Sequence, residues 1–187
     1  MSLPGPLLLG AIFLIFEVLL GVTRRSRGDG ERKDRSTLPL LWIVISCSIV
    51  AAMCAAIKWH DAQLSPVQAY RAGALILFVA GLSLRWWAIH TLGRFFTVDV
   101  DIARDHELVE QGPFRYLRHP SYTGVLLAFV AFGLSLANWA AFLVLMIPIL
   151  IAFGRRINVE EQALAEGLGE RYRSYMQRTK RLIPGVY

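Results

Sequence analysis

Cysteine is scarce in this chain: of 187 residues only two are cysteine, Cys47 and Cys54. At that spacing the two thiols share one helix face and lie too far apart along it to form a bridge. No Cys-x-x-Cys pair and no Cys/His ligand spacing accompanies them, so neither a disulfide framework nor a zinc motif is encoded. Both are expected to be buried packing thiols. Internal repeats and low-complexity tracts are missing as well, which excludes a solenoid or a long disordered tail. Charge is the most informative absence, because it is withheld from whole stretches of chain.

What fills those stretches is apolar. The chain is 55% hydrophobic with a mean hydropathy of +0.47, too greasy for an ordinary soluble domain. Five runs stand out: Leu7–Val22, Leu38–Ile57, Val67–Ile89, Tyr122–Ala137 and Trp139–Gly154. Runs of this length read as membrane helices, although the last two reach only about 24 Å at 1.5 Å per residue. Asn138 between them reads as the tip of a tight helical hairpin, with a re-entrant pair as the alternative. The expected fold class is all-α: a polytopic membrane protein of about five transmembrane helices.

The formal net charge of +6 is a matter of topology. Counting Arg85 at the end of the third run, eighteen of the 20 basic residues fall with the connections after the first, third and fifth runs, leaving Lys58 and Arg71 for the other side. The positive-inside rule then sets the N-terminus outside and the C-terminus in the cytoplasm, and no nucleic-acid partner is needed to explain the charge. No basic residue precedes Leu7–Val22 and six follow it, the reverse of a signal peptide, so it is expected to be a retained helix. Residues 23–37 form a charged linker with no core-forming residues. Glu17 is an ionisable group inside an apolar span, near enough to the cytoplasmic end to reach headgroups or the arginines that follow. Trp86, Trp87 and Trp139 read as interfacial anchors.

The long connection from Arg85 to Pro120 carries the chemistry. Val98, Val100 and Ile102 alternate with Asp99 and Asp101, a weak extended signal. Gly112-Pro113 marks a turn, and Pro120 suits the first position of a helix, which pins Arg118 and His119 just outside the membrane. Residues 112–124 (GPFRYLRHPSYTG) crowd arginine, histidine and tyrosine against a membrane entry point. After the hairpin, Arg155–Arg178 is helical in pattern. Leu164, Leu168, Tyr172 and Tyr175 form one apolar–aromatic stripe, fitting a helix that lies along the interface or caps the bundle. The hairpin returns the chain to the level it left, so the clusters 106–122 and 155–161 come together. Arg156 and Glu160, four apart, face the same way, either as an exposed ion pair or as part of a site.

The ordered set of motifs resembles the isoprenylcysteine carboxyl methyltransferase family, integral-membrane enzymes related to phospholipid methyltransferases. The matching elements are His-x-Leu-Val at 106–109, Gly112-Pro113-Phe114, Arg118-His119-Pro120-Ser121-Tyr122-x-Gly124, Arg156-x-x-x-Glu160-Glu161, Leu168-Gly169-x-x-Tyr172-x-x-Tyr175 and Arg181-x-Ile183-Pro184. They cover about the last hundred residues. The resemblance implies S-adenosyl-L-methionine as cofactor, contacted by His106, Glu107, Leu108, Val109, Phe114, His119, Pro120, Ser121, Tyr122 and Glu160. Arg156 would be the catalytic, acceptor-binding residue. Phe114 stands where the family often has tyrosine, which leaves stacking and removes a phenolic hydrogen bond. The chain is then one integral-membrane domain, 1–187: three N-terminal helices in 1–90 and a cofactor-binding part in 91–187 that includes the hairpin 122–154.

The chemistry of these side chains fits that implication. Backbone groups of 106–109 can bind a purine edge and aromatic rings its face. Glu160 can accept hydrogen bonds from a diol or an ammonium, and His119 can donate to a carboxylate. A carboxylate acceptor is ionised near neutral pH and needs no general base, so positioning by the Arg156 fork is what remains. The expected partners are membrane lipids and a lipid-associated or prenylated acceptor. No metal is expected, since no pair among His60, His90, His106 and His119 shares a helix face. Three other readings stay open: a phospholipid N-methyltransferase, an NADPH-dependent membrane reductase (sterol-reductase-like proteins carry a similar Arg-His-Pro-x-Tyr-x-Gly segment) and a non-catalytic membrane binding or transport protein.

Overall fold

A computed structural model describes residues 3–23, 31–32, 37–96, 101–102 and 108–187. Each apolar run becomes a helix: α1 Pro6–Thr23, α2 Thr37–Lys58, α3 Val67–Leu92, α4 Pro120–Ser135 and α5 Trp139–Leu168, followed by the short α6 Glu170–Arg178. Helices are the form that satisfies every backbone group within one segment when water is absent. Apart from them, Glu31–Arg32 pairs antiparallel with Asp101–Ile102 in a two-residue ladder, β1 and β2. Ile102 is therefore extended, as the alternation predicts, while Val98, Asp99 and Val100 lie outside the described residues.

Helices α1, α2, α3 and α5 are long and apolar enough to cross a bilayer, and α4 is a shorter apolar helix of 16 residues. The chain is a multi-pass membrane protein. Its outer surface agrees: Leu7, Val22, Ile43, Ile57, Ile76 and Ile151 are each at least 60% exposed, a lipid-facing rather than water-facing pattern. The short helix α4 is the centre of the bundle, with ten of its sixteen residues buried. Val125, Phe129 and Phe132 pack with Leu41 and Ile45 of α2 and with Leu145, Ile149 and Phe153 of α5. Ala128 and Ala131 meet Leu9 of α1 and Ala74 and Phe78 of α3. Because protein surrounds α4, its length does not have to match the bilayer.

Close approach of α3 and α4 depends on two glycines. A Cβ on Gly124 would stand 2.5 Å from the carbonyl oxygen of Gly81, and one on Gly81 would stand 2.6 Å from that of Gly124. Small residues at such a crossing let backbones touch. The contact sets Arg85 of α3 beside Ser121 of α4.

The hairpin tip forms as expected. Asn138 is the N-cap of α5: its side chain accepts from Ala141 N at 2.9 Å and donates to the Trp59 carbonyl at 2.8 Å. Two sequence expectations are corrected. The fifth span does not end at Gly154, because α5 runs unbroken for 30 residues to Leu168. Gly169, at φ +59°, then turns the chain into α6. Cys47 and Cys54 do share a face of α2, but it is the outward one, and both are exposed; an apolar thiol tolerates lipid as well as core. Glu17 pairs with Arg85 of α3; Arg24, Arg25, Arg27 and Arg35 lie outside the described residues.

Candidate functional site

One cavity gathers the polar residues. Its walls include Leu108, Val109, Phe114, His119, Pro120, Ser121, Tyr122, Arg156 and Glu160, every described residue the sequence assigned to the site. His106 and Glu107 lie outside the described residues. Leu164, Leu168, Tyr172 and Tyr175 line it too, so the stripe read from the sequence faces the cavity, across the break at Gly169.

The loop before α4 is built to hold its shape. Gly112 has φ +56° and opens a 3-10 turn through Arg115. The C-terminal tail runs alongside: Arg118 N donates to the Lys180 carbonyl at 2.7 Å and His119 N to that of Arg181 at 3.1 Å. Tyr175 of α6 donates to the carbonyl of Phe114 at 2.6 Å, with that of Leu117 at 3.2 Å. Pro120 opens α4 and His119 is its N-cap position, yet the imidazole makes no capping bond. That leaves the ring for other partners.

Adjacent carboxylates on α5 do different work. Successive helical residues are rotated by about 100°, so Glu160 and Glu161 diverge. Glu161, its side chain 4% exposed, gathers cations: Arg118 Nε donates at 2.7 Å, Arg181 Nη2 at 2.7 Å, and His119 Nε2 lies 3.2 Å away. It ties α5, the pre-α4 loop and the C-terminal tail into one block. Glu160 faces the cavity and accepts from the Tyr122 hydroxyl at 2.6 Å. That hydroxyl accepts in turn from Arg156 Nε at 2.8 Å, while Arg156 Nη1 donates to Thr37 Oγ1 at 3.2 Å. The Tyr122 ring stacks on His119 with centroids 5.5 Å apart and meets Phe153 edge-on. With Nε2 of His119 beside Glu161, Nδ1 is the nitrogen left nearer Glu160, at 4.0 Å.

A second ionic group borders the same cavity. Glu17 of α1 and Arg85 of α3 meet through Oε1 to Nε and Oε2 to Nη2, both at 2.7 Å, and Arg85 Nη1 donates to Ser121 Oγ at 2.8 Å. The sequence offers Glu17 only headgroups or the following arginines as partners and gives no sign of Arg85, because their link crosses 68 positions. Arg118, Glu161 and Arg181 were legible as motif letters without roles. The walls supplied by α1 and α2 (Phe13, Leu38, Leu41, Trp42 and Ile45) had no signal beyond hydropathy.

Comparison with known proteins agrees with the geometry. The model of the isoprenylcysteine carboxyl methyltransferase (ICMT) family matches residues 74–166. Protein-S-isoprenylcysteine O-methyltransferase B of Arabidopsis thaliana is 35% identical over 114 residues, 60% of this chain and 58% of that protein. The Schizosaccharomyces pombe protein-S-isoprenylcysteine O-methyltransferase is 32% identical over 117 residues, 62% of this chain and 50% of that one. The solved structure of the eukaryotic intramembrane Ras methyltransferase ICMT superposes with a TM-score of 0.61 at 26% identity, covering 82% of this chain and 54% of that chain. The chain thus spans between half and three-fifths of the length of these three relatives. The matched region, residues 74–166, holds most of α3, all of α4 and the Arg156–Glu161 segment of α5, and it is this part of the chain that matches the isoprenylcysteine carboxyl methyltransferase family.

Proposed function

We propose that this chain is an S-adenosylmethionine-dependent carboxyl O-methyltransferase acting in the membrane on an isoprenylcysteine-like acceptor. The observation that carries the reading is the continuity of one cavity. His119, Arg156 and Glu160 line it together with Leu41 and Ile45, which lie one and two turns into α2 from Thr37. A carboxylate on a lipid tail needs both environments at once, and so does the meeting of a charged donor with a greasy acceptor. The names of the relatives, all protein-S-isoprenylcysteine O-methyltransferases in the cases above, support the acceptor class.

The donor set fits the cofactor. Glu160 offers a carboxylate for a diol or an ammonium, and the apolar Val109, Phe114, Leu164 and Leu168 offer a surface for a purine. When bound, S-adenosylmethionine supplies an electrophilic methyl group on a sulfonium. The chain's own residues do the rest. Arg156 holds the acceptor carboxylate, and its orientation is fixed beforehand by Tyr122 at Nε and Thr37 at Nη1. The carboxylate is already ionised, so no residue has to remove a proton. Apolar walls from α1, α2 and α4 exclude water and admit the tail from the lipid side. His106 and Glu107, together with the contacts of Leu108, Val109, Phe114, His119, Pro120, Ser121 and Tyr122, complete the proposed cofactor set. The chain works as one domain, since 1–90 and 91–187 both contribute walls. The site end of the bundle is the end bearing most basic residues, which supports a cytoplasmic site with the N-terminus outside.

The test is isothermal titration of the detergent-solubilised protein with S-adenosylhomocysteine, followed by transfer of labelled methyl to a farnesylated cysteine. Binding is expected, weakened about tenfold or more by Glu160→Ala, with base-labile label in the acceptor. Absence of binding by the intact protein rejects the reading. Base-stable label would move the acceptor atom from oxygen to nitrogen.

A further inference from the structure

Tyr172 and Tyr175 are three apart on α6 and so point the same way. Both are buried, at 2% and 3% exposure, and both line the cavity. Their hydroxyls differ. Tyr175 donates to the Phe114 carbonyl and stands within reach of that of Leu117, tying α6 to the turn before α4. The Tyr172 hydroxyl is buried and has no hydrogen-bond partner among the described residues.

Such a group is costly. Buried hydroxyls in native proteins are paired, and an unpaired one loses its water without compensation. Phenylalanine would fill the same space without that loss. The nearby carboxylates are engaged elsewhere: Glu161 by Arg118, His119 and Arg181, and Glu160 by Tyr122. Burial, with the adjacent charges of Glu161 and Glu160, pushes the phenol well above the usual tyrosine range. It stays a neutral O–H, able to donate and accept, at any pH at which the protein works.

We infer that the Tyr172 hydroxyl is a binding contact for the nucleoside half of the methyl donor. The inference rests on the methyltransferase reading above. Tyr172 lies beside Tyr175, with ring centroids 5.9 Å apart; the Tyr175 hydroxyl holds the Phe114 carbonyl, and Val109, Phe114, Leu164 and Leu168 line the same cavity. These apolar side chains suit a purine face. A ring nitrogen or a ribose hydroxyl is the kind of atom a lone phenol can satisfy there.

The experiment compares the intact wild type, Tyr172→Phe and Tyr175→Phe in detergent. Melting temperature is measured without ligand, and affinity is measured for S-adenosylhomocysteine and for 5′-methylthioadenosine, which lacks the amino-acid tail. Tyr172→Phe should leave the ligand-free melting temperature unchanged or higher while weakening both ligands about five- to tenfold. Tyr175→Phe, which removes a bond made within the protein, should lower the ligand-free melting temperature. Unchanged affinity in Tyr172→Phe overturns the inference. So does a lowered melting temperature, which would mean the hydroxyl has a structural partner. Weakening confined to S-adenosylhomocysteine overturns it too, since the contact would then be with the tail. If the wild type binds neither ligand, the proposed function fails and takes this inference with it.

Discussion

The hydroxyl of Tyr122 donates to Glu160 at 2.6 Å while accepting from Arg156 Nε at 2.8 Å. One oxygen thus joins the carboxylate proposed for the cofactor to the guanidinium proposed for the acceptor. Hydrogen bonds to charged groups contribute about 1.5–3 kcal/mol each. Tyr122→Phe, which keeps the ring on His119 and Phe153, should therefore lower kcat/KM by about ten- to a hundredfold. Steady-state kinetics should also show the Kd of the cofactor and the KM of the acceptor both rising. A change in only one of them would deny the coupling.

Glu161 is expected to be a residue of stability first. Removing it leaves Arg118, His119 and Arg181 crowded together without their common anion. Breaking a buried pair in this way costs about 3–5 kcal/mol. Glu161→Ala should melt well below the wild type in a detergent thermal shift assay, whereas Glu160→Ala, at the cavity wall, should melt close to it. Equal melting temperatures for the two variants would contradict the division of roles between these neighbours.

The Glu17–Arg85 pair fastens α1 to α3 beside the cavity, with side chains 10% and 8% exposed. Deleting one partner strands the other in an apolar setting, and deleting both does not. Glu17→Leu should therefore be less stable than the double variant Glu17→Leu/Arg85→Met. Urea titration of the detergent-solubilised proteins supplies the ordering, and a double variant that is the weaker of the two would refute it.

Gly124 tests the packing that aligns Ser121 with Arg85. A Cβ there would collide with the carbonyl oxygen of Gly81 at 2.5 Å and with Arg85 N at 2.8 Å. Neither is the movable end of a side chain. Gly124→Ala should cost about 1–3 kcal/mol, read as a lower melting temperature, whereas Gly73→Ala, with open space around it, should be neutral.

Sequence alone determined the membrane class, the helix spans to within a few residues at most ends, the hairpin tip at Asn138 and the proline-opened α4. Each of these follows from spacing along a single element: apolar length, turn chemistry and the position of a proline. Most of the site was legible for the same reason, since Phe114, His119, Tyr122, Arg156 and Glu160 sit in motifs whose order puts them at one end of the bundle.

The tertiary structure decided what no single element records. It turned Glu160 to the cavity and Glu161 to the arginines, and it set Cys47 and Cys54 on the outer surface. It joined Glu17 to Arg85 across 68 positions and Thr37 to Arg156 across 119. It also left the Tyr172 hydroxyl without the partner that Tyr175 has. The physical reason is rotational: a helix pattern fixes which residues share a face, but packing against its neighbours fixes where that face looks.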